Sequence, residues 1–326
     1  MNSISNSNIV VIGGAGFIGS HVVEALLKED VKQITVYDNF TRGSQDNLAN
    51  ALQDERVRIW EGDILHTDVL NAVLKGADYV FHLAALWLLH CYEYPRAAFQ
   101  VNTEGTFNVL EACRDQGVKK LIYSSSASVY GDALEVPMAE DHAFNNRTFY
   151  GATKVAGEQM CRAFYDRYGL DYVGLRYMNV YGKRQDDQGA YTSVIMKIFN
   201  RLGEGLPPVV YGDGSQTYDF IDVTDVALAN ICAMKSNATD AFYNVGRGIG
   251  TTINELAETM LKVTDSNQSI QYEPAGQTFV THRVGSTERA QQDIDFTAGV
   301  DLETGLRQLI EWREQKRGQT TLSNVS

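Results

Sequence analysis

IVVIGGAGFIG, residues 9 to 19, takes four apolar residues into a cluster of glycines and out into a pattern that stays apolar to Leu27. Ile9 to Ile12 reads as a buried strand and Gly19 to Glu29 as a helix. In the turn between them, Gly13 allows the tight bend, Gly16 lets a pyrophosphate approach the backbone, and Gly19 lets helix and strand pack closely. Free N–H groups and the helix dipole at that point attract an anion. A glycine-rich turn with no ligand is the competing reading. The next strand, Gln33 to Tyr37, ends in Asp38. An acidic side chain there accepts hydrogen bonds from a ribose diol and repels a 2′-phosphate, which favours NAD over NADP. Arg42 weighs the other way, because a nearby Arg can accept a 2′-phosphate.

Outward from this stretch, strands and helices alternate. Val57 to Trp60, Tyr79 to Leu83, Lys120 to Ser124 and Tyr172 to Arg176 read as strands; Asp68 to Leu74, Pro95 to Gln116 and Tyr150 to Tyr168 read as helical. That alternation predicts an α/β fold: a doubly wound parallel sheet with helices on both faces. After Asn179, Gly and Asp punctuate shorter elements, so a second, smaller C-terminal substrate domain is expected. The boundaries predicted are a dinucleotide-binding domain over 1–178 with a returning segment near 217–246, a substrate domain over 179–318 holding helices at 254–264 and 302–316, and a disordered tail over 319–326.

Composition narrows the partners. The 326 residues carry a net charge of −13, which opposes nucleic acid as a partner. Cys91, Cys113, Cys161 and Cys232 lie far apart without CxxC spacing, so neither a zinc site nor a disulfide framework is expected. A reduced, cytoplasmic setting fits. The opening MNSISNSN lacks the basic region of a signal peptide, and no stretch reads as a membrane span.

The chemistry centres on Tyr150-Gly151-Ala152-Thr153-Lys154. Tyr and Lys at i and i+4 share a helix face. An ammonium beside a phenol is expected to lower its pKa from about 10 towards neutrality, giving an acid/base usable near neutral pH. Ser124-Ser125-Ser126-Ala127-Ser128 ends the fifth strand, at the carboxyl edge where such sheets bind ligands. A serine there could hold the oxygen that Tyr150 protonates or deprotonates. An exposed helix turn is the bland reading of the Tyr/Lys pair. Asp63-Ile64 either flanks an adenine or serves a turn or helix cap. Leu83-Ala84-Ala85 either lets a cofactor pass over the sheet edge or simply packs.

The glycine turn, Phe81-His82-Leu83-Ala84-Ala85, Asn102, the Tyr123 to Gly131 stretch, the Tyr150/Lys154 pair, Arg176 to Gly182, Tyr211 to Gly214 and Asp219-Phe220 together resemble the extended short-chain dehydrogenase/reductases over nearly the whole chain. Within them the chain looks most like nucleotide-sugar epimerases of the UDP-glucose 4-epimerase type. The resemblance implies a Rossmann fold and tightly bound NAD. It implies Tyr150 as proton acceptor, Lys154 on the nicotinamide ribose and Ser126 at the catalytic serine position. It extends the cofactor set to Phe17, Ile18, Asn39, Ser124 and Tyr177, with Asn102 supporting the active-site helix. Asn179 would contact a nucleotide-diphosphate sugar substrate. The helices around Asn102 and Tyr150 would form a homodimer interface. The implied reaction is transient oxidation at C4 of the sugar, rotation of the keto sugar, and hydride return to the opposite face. Related 4,6-dehydratases carry Thr-Asp-Glu after the serine strand, and the sugar-acid decarboxylases a nearby Glu. Ser126-Ala127-Ser128 has no carboxylate.

Two places depart from the family pattern. Tyr218 stands where an Arg usually meets the diphosphate. Losing that planar fork costs anion binding, and Arg184 and Arg283 are the candidate replacements, each also readable as a solvated surface charge. Leu86-Trp87-Leu88-Leu89-His90-Cys91 replaces a small polar loop. It is far too short to span a membrane. It is either core or the wall of the sugar pocket, with Trp87 or His90 facing the sugar. Two alternatives to the epimerase stand beside it: a 4-ketoreductase with exchangeable NAD(P)H, and a non-catalytic dinucleotide-sensing scaffold.

Overall fold

A computed structural model describes residues 4–186, 193–275 and 280–323. The first half runs β1 (Asn8–Ile12), α1 (Phe17–Leu26), β2 (Gln33–Asp38), β3 (Val57–Glu61), α2 (Thr67–Leu74), β4 (Tyr79–His82), α3 (Leu88–Glu93), α4 (Pro95–Ala98), α5 (Gly105–Asp115), β5 (Lys120–Ser126), α6 (Phe149–Tyr168) and β6 (Tyr172–Tyr177). Then follow β7 (Asn179–Tyr181), α7 (Val194–Gly203), β8 (Val209–Tyr211), β9 (Thr217–Tyr218), β10 (Phe220–Asp222), α8 (Val223–Lys235), β11 (Ala241–Val245), β12 (Thr251–Thr252), α9 (Ile253–Val263), β13 (Gln271–Glu273), β14 (His282–Arg283), α10 (Glu288–Ile294) and α11 (Leu302–Ser323).

Seven strands form one parallel sheet in the order β11-β6-β5-β4-β1-β2-β3. Both faces are covered, which is why its strands read as unbroken apolar runs. Side chains alternate across it. Ile9 and Val11 of β1 join α1 and α8 in one core, through Val22, Val23, Leu26, Val226 and Ala229. Val10 and Ile12 join α2, α5 and α6 in the other, through Leu70, Val73, Val109, Leu110 and Phe164. Each fully buried Val, Leu or Phe of these layers contributes about 1.5–3 kcal/mol.

The chain reverses direction of travel along the sheet at β1, between β2 and β4, and ligands bind beyond the strand ends at such a point. The second unit has its own core, in which Ile195, Ile198 and Phe199 of α7 meet Leu256 and Met260 of α9 and Leu306 and Leu309 of α11. Small sheets β10-β7, β12-β9-β14 and β13-β8 complete it.

Three details differ from expectation. The long helix predicted over 95–116 is interrupted by a π-helical segment at Phe99–Glu104. Asn102 lies in that segment, and its buried amide is held by groups outside the helix, as is common where a π-bulge serves a site. The stretch after Ala85 is not all loop, because α3 begins at Leu88. α11 continues to Ser323, so residues 319–323 are helical where a disordered tail was expected; 324–326 lie outside the described residues. All four cysteines are free thiols. Among the described residues no group of three or more His, Cys, Asp or Glu is placed to hold a metal, and no helix is long and apolar enough to cross a membrane.

Candidate active site

Two cavities adjoin beyond the carboxyl ends of the strands. One, of about 520 Å³, is lined by Gly13, Gly16, Phe17, Ile18 and Gly19 of the glycine turn and by Leu83, Ala85, Ser124, Tyr177 and Lys154. The other, of about 1110 Å³, lies between the sheet and the second unit and is lined by Ser126, Asn179, Tyr218 and Arg283. Tyr150 and Trp87 line both.

The smaller cavity fits a dinucleotide by the shape of its floor. Gly13 has φ +80°, and a Cβ there would come within 2.6 Å of the Ala84 nitrogen. A Cβ on Gly19 would stand 2.1 Å from the Gly13 carbonyl oxygen. Gly16 caps α1 without any side-chain hydrogen bond, so the first N–H groups of that helix remain available to a pyrophosphate. Asp38 does not line this cavity. Its two carboxylate oxygens accept from the Ala15 and Phe40 N–H groups, each at 2.9 Å, and so tie the glycine turn to β2. Asn39, Asp63, Ile64, Ala84 and Asn102 also stand outside the lining. Asp63 accepts from Asn39 Nδ2 and the Leu65 N–H, and Ile64 is buried. Asn102 accepts from the Leu86 N–H at 2.7 Å, donates to the Leu86 carbonyl at 2.9 Å and reaches Thr153 of α6 at 3.2 Å. It therefore pins the segment after β4 to the helix that carries Tyr150.

Thr148 caps α6 by accepting from the Gly151 N–H, so Tyr150 sits in the first turn with Lys154 one turn on. Lys154 is buried, and its ammonium donates to the Ser124 carbonyl at 2.6 Å. The ammonium stands 5.7 Å from the centre of the Tyr150 ring. Burial dominates both groups. It pushes the Tyr150 phenol up to about 12, against a smaller downward pull from the Ser126 hydroxyl and Arg283. It brings Lys154 down to about 8. The expected neutral-range phenol is therefore not present in this state: desolvation dominates, and the Lys154 ammonium is turned to a carbonyl. Behind the pair, the Ser124 hydroxyl meets the Tyr177 hydroxyl at 2.9 Å, and Tyr177 bonds Asn230.

In the larger cavity Arg283 presents a buried Nε with no hydrogen-bond partner among the described residues. Tyr218 donates to the Val280 carbonyl at 2.7 Å, so its hydroxyl is committed to the backbone. Arg184 belongs elsewhere: it lines the smaller cavity, paired with Glu24 of α1. Leu88 and Leu89 join Trp87 in the wall of the larger cavity. His90 does not; its ring packs between Trp87 and Tyr94, at 4.8 and 5.0 Å. Sequence reading missed Lys197 and Arg201 of α7, which add two cations to the larger cavity, and Trp312 and Lys316 of α11, which reach the smaller one. Lys197 and Arg201 stand four apart on an amphipathic helix, a spacing that could have shown them as one face.

A glycine turn on a seven-stranded parallel sheet, a Tyr/Lys pair at its edge and a second cavity beside it define a dinucleotide-dependent enzyme of the extended short-chain dehydrogenase/reductase type. Residues 9–246 match the NAD dependent epimerase/dehydratase family, and the chain belongs to it. Its dinucleotide is NAD. The solved structure of UDP-N-acetylglucosamine 4-epimerase from Methanobrevibacter ruminantium, in complex with UDP-N-acetylmuramic acid, is similar at 37% identity and a TM-score of 0.91, covering 96% of this chain and 99% of that one. UDP-glucose 4-epimerase from Thermotoga maritima, solved with UDP-glucose, is similar at 32% identity and a TM-score of 0.88, with coverage of 95% and 99%. The UDP-N-acetyl-alpha-D-glucosaminuronate decarboxylase of Bacillus cytotoxicus is 31% identical over 93% of this chain and 96% of its own length.

Proposed function

We propose that the chain is a nucleotide-sugar 4-epimerase that keeps its NAD through the catalytic cycle and works as a homodimer. The observation that carries this reading is that Tyr150 lines both cavities, so one phenol faces the dinucleotide site and the substrate site at once. The Tyr150 oxygen takes the proton of the sugar's C4 hydroxyl and returns it after the keto sugar has turned. Ser126 holds the same sugar oxygen. NAD, when bound, supplies the two-electron acceptor and donor, and its positively charged ring adds to Lys154 in favouring the phenolate. Arg283, with its unpartnered Nε, binds the diphosphate, helped by Lys197 and Arg201. Arg184, engaged with Glu24 at the other cavity, does not serve the diphosphate.

Epimerisation is favoured over dehydration or decarboxylation because the end of β5 and the turn after it carry Ser126, Ala127 and Ser128 and no acid. Elimination of water needs a further acid and base close to the reacting carbons. The homodimer is supported by exposed Phe99 and Phe107 beside α6, which itself exposes Phe149 and Tyr168.

The test is a proton NMR time course of the purified protein with UDP-, GDP-, CDP- and dTDP-sugars and no added cofactor. The expected result is interconversion of one sugar with its C4 epimer, with Tyr150→Phe slower by about 10²–10⁴-fold. Turnover only when NAD(P)H and a keto sugar are supplied would assign a reductase instead.

A further inference from the structure

Trp87, like Tyr150, lines both cavities, and its indole is held from three sides. Asn102 fixes the neighbouring Leu86 through both its N–H and its carbonyl. His90 packs edge-on against the indole. The third support comes from far along the chain. The guanidinium of Arg42, from the segment after β2, lies over the indole with its central carbon 3.6 Å from the ring centroid. Arg42 also pairs with Asp186, at 3.2 Å, on the exposed side. A guanidinium at that distance over an indole face is a cation–π stack, strongest with Trp.

We propose that Arg42 is a positioning residue for the substrate pocket: stacked on Trp87, it holds the indole as the partition between the cavities and thereby sets the pocket's affinity for the sugar. The proposal rests on reading the larger cavity as the sugar-nucleotide site. It gives the segment after β2, which lines the smaller cavity through Arg42, a task at the sugar as well. A planar guanidinium suits a planar ring, so lysine is a partial substitute.

The experiment uses Arg42→Met, which keeps an unbranched apolar stem and removes the guanidinium, beside Arg42→Lys. Binding of UDP-glucose, UDP-N-acetylglucosamine and UDP alone is measured by calorimetry on the NAD-loaded protein. Arg42→Met is expected to weaken the two UDP-sugars by about three- to tenfold and leave UDP unchanged, with Arg42→Lys between. Arg42 also lines the smaller cavity, so bound NAD per chain is measured beside the sugars. Trp87 emission is read separately, without any sugar, in a Trp60→Phe/Trp312→Phe background that leaves Trp87 as the only one of the three tryptophans. It is expected to change in Arg42→Met. Unchanged Trp87 emission overturns the proposal, and so does loss of NAD with sugar binding intact, which would make Arg42 a cofactor residue. If the natural chain binds neither UDP nor a UDP-sugar, the reading of the larger cavity fails, while the emission measurement still judges the stack.

Discussion

Lys154 shows how far the site is set by burial. Its pKa is brought to about 8 from an ordinary 10.5, so between those values the unfolded chain holds a proton that the folded chain has released. Stability contributed by this group therefore rises with pH across that window, and the cost of burying the charge is fully present below it. Lys154→Met removes that dependence. The stability of the variant relative to the natural chain should fall steadily as pH is raised from about 8 to 10.5, read from denaturant melts of the NAD-free protein. A constant difference would mean that Lys154 keeps its ordinary pKa in the fold. The same burial explains what sequence could not supply. The Tyr/Lys spacing made the pair visible, but spacing says nothing of desolvation, and the phenol is pushed up to about 12 instead of down. Arg184 and Arg283 were indistinguishable as letters. Only the fold puts one against Glu24 and the other in the larger cavity.

At the level of elements, β5, α6 and β6 are locked by a buried ion pair. Arg176 of β6 donates to both oxygens of Glu158 on α6, at 2.8 and 2.7 Å, and to the Tyr130 hydroxyl at 2.8 Å. Glu158 also accepts from Ser125 of β5 at 2.6 Å. Removing one charge leaves the other buried without compensation, so Glu158→Gln should cost about 3–5 kcal/mol in equilibrium unfolding. A loss below about 1 kcal/mol would show that Arg176 relaxes to water. The strands and long helices were legible because a buried parallel sheet needs apolar runs and its helices need amphipathic ones. The π-helical segment around Asn102 was not, because what opens that helix is a contact with Leu86, distant in the chain. α3 was hidden for a related reason: Leu88 and Leu89 carry no helix cap, and their apolar side chains are spent on a cavity wall.

For the whole molecule, the aromatic side chains beside α6 give the oligomer a direct test. Phe99→Glu with Phe107→Glu should convert a dimer to a monomer in light scattering, because two charges would have to be buried at the interface. A natural chain that runs as a monomer would remove the proposal. The sheet carries a further consequence through its edge. β11 pairs with β6 only after α7, β8 to β10 and α8 have been made, and α8 is also what covers α1. On the ribosome, then, β6 emerges as an open edge of unpaired N–H and C=O groups, and α1 emerges with a bare apolar flank. The seven-stranded sheet cannot close until β11 has been made. A pause in synthesis before residue 245 therefore leaves that edge and flank exposed for longer than a pause after it.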